Sequence, residues 1–334
     1  MTDTRPDIPS VTERTRPVKA AAPVVAAHFL GSTAVFVLGE EALLLVPGAG
    51  DEARVAVHGG AILSSAADRD RIVTGGDDGK VVATGADGAS SVIATDAKRR
   101  WIDRVALGAR GALAWSAGKQ TFARTDKGER VREAPSTVGG LAFAPKGIRL
   151  AIAHYNGVTL WYPNVEGEPE TLAWKGSHLG ATFSPDGRFL VTAMQEPTLH
   201  GWRLADRKDM RMSGYGARVR SLDFSVGGQW LATSGSTQLI LWPFEAKDGP
   251  MGKTPRLLAP TEVMIEAVAC HPKQDVVAVG YADGLVLLVR IEDGAEVLAR
   301  KGAGAPVSAL AWSASGNLLA FATEDGEAGV VDLG

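Results

Sequence analysis

Lys253 stands in Gly252-Lys253-Thr254, the ending of a phosphate-binding loop. Such a loop needs a glycine where Lys247 lies, and Pro255 opposes the helix that should follow. A loop between strands accounts for the tripeptide. Gly302-Ala303-Gly304 lacks the third glycine of a dinucleotide loop and leads into a strand. The six histidines are His28, His58, His154, His178, His200 and His271, and no two sit at metal-ligand spacing. A fold that gathers distant segments could still join some of them, but separate structural or surface histidines are the plainer reading. Cys270 is the single cysteine, which excludes a disulfide framework and a thiolate metal cluster. It falls where other parts of the chain carry Phe or Trp, so a buried, inert thiol is expected. Asp77, Asp78, Asp283 and Asp325 could suggest calcium, yet each stands in a turn that already explains it. No catalytic constellation emerges and no cofactor is expected, so the chain reads as a non-enzyme.

The elements that carry these residues come from a repeat. The 334 residues include 40 glycines, and 45% are hydrophobic, a turn-rich globular composition. Net charge is −3 with no strongly basic block, so nucleic-acid binding lacks electrostatic support. The run from Ala20 to Ala27 contains Pro23 and is too short for a secretory segment, and no stretch is long and apolar enough to span a membrane. A cytoplasmic monomer is expected.

Self-similarity is strongest at 178–204. His178-Leu-Gly-Ala-Thr-Phe-Ser-Pro-Asp-Gly is followed there by Phe189-Leu-Val-Thr and Leu199-His-Gly-Trp202. The same frame returns at 138–162, 219–242, 265–291 and 307–333, with worn copies beginning near Val24, Gly60 and Ile102. The apolar position before the first turn falls at Phe29, Ser65, Leu107, Phe143, Phe183, Phe224, Cys270 and Trp312, a period of 36 to 46 residues. Each unit reads as short strands separated by Asp-Gly or Asn-Gly turns, such as Asp78-Gly79, Asn156-Gly157, Asp283-Gly284 and Asp325-Gly326, which tolerate positive φ. Trp161, Trp202, Trp230, Trp242 and Trp312 lie in strands at matching phases and are expected in the core.

These residues resemble the WD40 repeat family over roughly residues 20–333. The resemblance implies an all-β, single closed β-propeller of four-stranded antiparallel blades. Eight blades are favoured. Seven would require one worn unit, 60–97 or 102–135, to be something else. Hallmarks are missing: no Trp-Asp pair closes a third strand, and the family's His–Ser/Thr–Asp–Trp tetrad is complete in no unit. Cohesion between blades should therefore rest mainly on apolar packing. The last unit ends at Gly334 without a fourth strand. Residues near 14–20 are expected to supply it, so that the two termini share the closing blade. Residues 1–13 read as a flexible tail and 14–334 as the propeller.

The resemblance further implies that interblade loops and the second turn of each blade share one binding rim. Interblade candidates are His58, Arg99, Arg100, Trp101, His178, Tyr215 and Arg218. Second-turn candidates are Lys119, His154, Tyr155, Gln195, Tyr281 and Glu324. Partner binding is assigned to Arg99, Arg100, Trp101, Tyr155, His178, Tyr215, Arg218 and Tyr281, because Trp, Tyr and Arg dominate interface energetics. The basic and aromatic subset suits an acidic protein or peptide partner. The expected function is a protein-interaction scaffold. The alternative is a propeller enzyme or small-ligand binder resembling quinone-dependent dehydrogenases, whose export signal, calcium ligands and repeated outer-strand Trp motif this chain lacks.

Overall fold

The computed structural model describes residues 8–302 and 304–334. Most of the expected N-terminal tail (residues 1–7) and the middle of the Gly302–Gly304 stretch lie outside the described residues. Strand β1 (Thr15–Lys19) comes first in the chain but pairs with the last strand. The first sheet is β2 (Val24–Leu30), β3 (Thr33–Leu38), β4 (Ala42–Val46) and β5 (Ala53–Ala56). The second is β6 (Ile62–Ala67), β7 (Arg71–Gly76), β8 (Lys80–Gly85) and β9 (Ser90–Thr95). The third is β10 (Arg104–Leu107), β11 (Leu113–Ala117), β12 (Gln120–Thr125) and β13 (Gly128–Glu133). The fourth holds β14 (Gly140–Phe143), β15 (Leu150–Trp161), β16 (Glu170–Phe183), β17 (Phe189–Met194), β18 (Leu199–Arg203) and β19 (Lys208–Met212). The fifth is β20 (Leu222–Phe224), β21 (Trp230–Thr233), β22 (Leu239–Pro243) and β23 (Arg256–Leu258). The sixth is β24 (Ile265–Cys270), β25 (Val276–Tyr281), β26 (Val286–Arg290) and β27 (Glu296–Arg300). The seventh is β28 (Val307–Trp312), β29 (Leu318–Thr323) and β30 (Glu327–Asp332), completed by β1.

The favoured count of eight four-stranded blades is thus corrected. Hydrogen bonding among the described residues gives seven sheets, six of four strands and one of six. The physical reason lies in β15 and β16. His154 and Thr159 side chains meet at 3.0 Å, whereas five extended residues span roughly 16 Å. The chain therefore reverses inside β15, at Asn156 (φ 69) and Gly157 (φ 144). β16 then pairs with β15 through Glu170–Ala173 and with β17 through His178–Phe183, bending at Gly176 (φ 124). Two sequence units consequently run into a single sheet. No sheet closes on itself. The ring closes where β2 packs against β28 and where β1 pairs antiparallel with β30, from Thr15 opposite Val331 to Lys19 opposite Glu327.

Position within a sheet explains strand composition. β3 and β4 are buried at every residue because neighbouring sheets cover both faces. β13, Gly-Glu-Arg-Val-Arg-Glu, is an outer edge and almost wholly exposed, and its charges discourage edge-to-edge pairing. Of the recurring tryptophans, Trp242 and Trp161 lie between sheets, whereas Trp202 packs against β15 of its own six-stranded sheet. Trp242 packs with Phe189 and Val191 of the preceding sheet, and Trp161 with Ala114 and Ala123.

Inner strands of adjacent sheets are also joined by side chains that imitate strand pairing. Ser64 Oγ accepts the Val105 N–H at 3.0 Å. Ser221 Oγ accepts the Val268 N–H at 3.0 Å and lies 3.1 Å from the Val268 carbonyl. Asp223 Oδ2 accepts the Cys270 N–H at 2.8 Å. Burial raises the Asp223 carboxyl to about 6 despite that bond. Near the N-terminus, the Val11 N–H donates to the Leu298 carbonyl and the Leu298 N–H to the Pro9 carbonyl, so Ser10 lies parallel to the outer edge of β27.

Candidate interaction rim

The interblade loops and second turns share one rim because they hydrogen-bond to each other around the ring. The Val57 and Ile62 N–H groups donate to the Glu41 and Glu40 carbonyls, and Asp96 N–H to Gly79. Ala134 and Val138 N–H donate to Lys119 and Gly118. Gln195 N–H donates to Ser177, Gly216 N–H to Gly235, and Ala282 N–H to Met264.

The 96–102 loop is the best-defined segment. The Asp96 carboxylate accepts the Lys98 and Arg100 N–H groups at 2.9 and 3.0 Å. Arg100 donates to it from Nε at 3.2 Å and from Nη2 at 2.6 Å, and reaches Gln120 Oε1 at 2.8 Å. The Arg100 guanidinium holds the Asp96 carboxyl below its usual range, and Asp96 in turn raises Arg100. The loop lies against Gly79 (φ +78), where a Cβ would come 3.0 Å from Arg99 Cα, so only glycine fits. Ile102 is fully buried. Arg99 takes φ 52 and stays exposed, and Trp101 is 62% exposed.

The assigned partner-binding residues divide accordingly. Arg99, Trp101, Tyr155 (53% exposed) and Arg218 face solvent. Arg100 is committed to Asp96. His178 is buried, with Nε2 donating to the Trp174 carbonyl at 3.1 Å and Nδ1 accepting from Thr192 Oγ1 at 2.8 Å. Tyr215 is buried; its hydroxyl donates to Thr233 Oγ1 at 3.1 Å and accepts from Trp242 Nε1 at 2.7 Å. Burial pushes that phenol up to about 12. Tyr281 is fully buried and donates to the Ala259 carbonyl at 2.9 Å. These last three strengthen the fold and present no free surface.

The exposed residues lie along a bonded arc. Gly118 N–H donates to Asp103 Oδ2 at 2.9 Å, next to Trp101. Lys119 leads to the 134–138 loop, where Ser136 Oγ accepts the Tyr155 N–H at 2.8 Å. Tyr155 shares a cavity with Trp174, Lys175, Met194, Gln195 and Arg211, and Gln195 Oε1 accepts from Arg218 at 3.5 Å. Lys98, Arg99, Lys119, Lys175 and Arg218 are exposed along it.

Sequence reasoning missed how the rim is stapled. His58 Nδ1 donates to Asp78 Oδ1 at 3.0 Å while its Nε2 accepts from Thr74 Oγ1 at 2.8 Å. Burial alone would raise the Asp78 carboxyl, but the Gly59 N–H, His58 and the Lys80 N–H hold it down at about 2. Three members of the His–Ser/Thr–Asp–Trp tetrad thus survive here; the signal was His58 followed by Thr74 and Asp78. In the fifth sheet Tyr215 stands where the histidine would, between Trp242 and Thr233. Cys270 is buried, which raises its thiol. His178 and His200 come within 6.5 Å, but His200 stacks on Trp174 at 3.8 Å. Among the described residues no three His, Cys, Asp or Glu side chains are placed to hold a metal ion, and no helix is long and apolar enough to cross a membrane.

Two family models match the sequence: "WD domain, G-beta repeat" over residues 208–243, and "Anaphase-promoting complex subunit 4 WD40 domain" over 265–334. Over these residues the sequence matches WD40 repeats, and the fold of the chain is a β-propeller. No curated protein sequence matches it. Among solved structures, the computationally designed Ika8 protein is similar with a TM-score of 0.75 at 17% identity, covering 94% of this chain and 97% of that one. The RRP9 WD40 repeats are similar at 0.61 and 16%, covering 82% and 95%. U3-55K is similar at 0.60 and 16%, covering 83% and 96%. At these identities the structural likeness speaks for the fold alone. WD40 propellers are typically protein-interaction scaffolds and generally not enzymes.

Proposed function

We propose that this WD40 propeller is a cytoplasmic, monomeric, non-enzymatic scaffold that grips an acidic segment of a partner protein along the arc from Arg99 to Arg218. One observation carries the reading: an indole and a phenol, at 62% and 53% exposure, stand on the rim among exposed lysines and arginines. Large aromatics left in water on a folded surface mark interaction sites when they cluster with groups that recognise charge. Trp101 and Tyr155 supply contact area, while Arg99, Lys119, Lys175 and Arg218 supply charge for carboxylates. The test is site-specific photocrosslinking in the native host, with the crosslinker placed at Lys119 on the arc or at Lys127 in the turn between β12 and β13 on the opposite rim. A partner joined from position 119 and not from 127 supports the reading. A partner joined only from 127, or equally from both, overturns it.

A further inference from the structure

The inner strands of the sheets surround a central channel. Part of it forms a cavity of about 970 Å³ bordered by His28, Ser65, Arg104, Thr182, Arg218 and Arg220. Three arginines and no carboxylate line this cavity, while Glu266 and Glu324 border the adjoining cavity that shares Arg220 and Ser221 with it.

Arg104 is the unusual member. It is half-buried, with Nε donating to the Gly139 carbonyl at 2.8 Å and Nη1 to the Asp103 carbonyl at 2.6 Å. Those acceptors are neutral, and no described carboxylate forms an ion pair with it. The adjacent Asp103 carboxylate accepts the Gly118 N–H and forms no hydrogen bond with Arg104, acting on it only through its charge. Burial depresses the Arg104 pKa and the nearby Asp103 charge only partly offsets it, so a partly desolvated guanidinium is left with no ion pair of its own, which is costly to keep. Arg218 touches only the neutral Gln195, and Arg220 lies 3.8 Å from Glu266. Burial holds His28 neutral, at about 4, and its ring bonds Ser65 at 2.9 Å, so charge comes from the arginines alone.

We infer that the channel is a binding site for a small oxyanionic ligand, whose phosphate or carboxylate oxygens are held by Arg104 with Arg218 and Arg220 and by the hydroxyls of Ser65 and Thr182. The planar guanidinium fork offers paired donors to either kind of oxygen. The site lies inside the ring and shares Arg218 with the arc, whereas Arg104 and Arg220 belong to the channel and not to the arc.

The test is isothermal titration of the full chain at constant ionic strength with inorganic phosphate, with citrate and with a glutamate-rich peptide. Saturable binding of phosphate or of citrate is expected, and the tighter of the two names the oxyanion class. Arg104→Gln should weaken it by about tenfold or more, as for a lost charged hydrogen bond, while Arg99→Ala leaves it unchanged. If Arg104→Gln fails to fold, Arg220→Gln decides, and a loss of several-fold is expected. No saturable uptake of either small anion overturns the inference, as does undiminished binding in the arginine variants. Binding of the peptide alone would also overturn it while leaving the scaffold reading intact.

Discussion

Arg99 and Arg100 are neighbours with different work. Arg100 neutralises Asp96, whose side chain is 3% exposed, whereas Arg99 makes no such bond. Arg100→Ala should therefore destabilise the protein by about 1–2 kcal/mol in denaturant titration, a modest cost because the guanidinium is itself a third exposed and screened by solvent. Arg99→Ala should fall within about 0.5 kcal/mol of wild type. The Asp96 carboxyl is depressed in the folded state, so its contribution is full above the unfolded carboxylate pKa and is lost as pH falls through the folded value. The gap between wild type and Arg100→Ala should accordingly narrow on acidification; a gap that widens would refute the clamp. Tyr215→Phe strands the Trp242 indole N–H and should cost about 1–3 kcal/mol. Trp242→Ala should cost about 3–5 kcal/mol, being a buried aromatic between two sheets.

Strands were largely legible because the repeat marks them: Phe29, Ser65, Leu107, Phe143, Phe183, Phe224, Cys270 and Trp312 all fall on the first strand of a unit. Whether consecutive units share a sheet was not legible from the period. It depends on the link, and only Lys175, Gly176 and Ser177 separate Trp174 from His178, too few to form the loop seen at 96–103. The chain bends at Gly176 without leaving the sheet, and one sheet results. The seventh sheet borrows β1 from the N-terminus, and Ser10 and Val11 border β27. Removing residues 1–22 should bare the β30 edge, lower Tm by about 5 °C or more, and yield oligomers in size-exclusion chromatography. Unchanged melting and a monomeric profile would show that β1 contributes nothing to closure.

At the scale of the whole molecule, the ring turns a one-dimensional repeat into a rim where distant loops meet. Residue types pointed to that rim, since aromatic and basic side chains recur in the links. Which of them are free was hidden, because commitment depends on neighbours: Tyr215 is claimed by Thr233 and Trp242, His178 by Thr192, and Tyr281 by Ala259, while Trp101 and Tyr155 are left outside. The central claim is that this remainder holds an acidic partner. It is tested most directly by titrating the crosslinked partner, once isolated, against wild type and the Arg99→Ala/Trp101→Ala double variant at two salt concentrations. The account predicts affinity weakened by on the order of 1–3 kcal/mol, a smaller salt dependence and an unchanged melting curve. Equal affinities at both salt concentrations would contradict it.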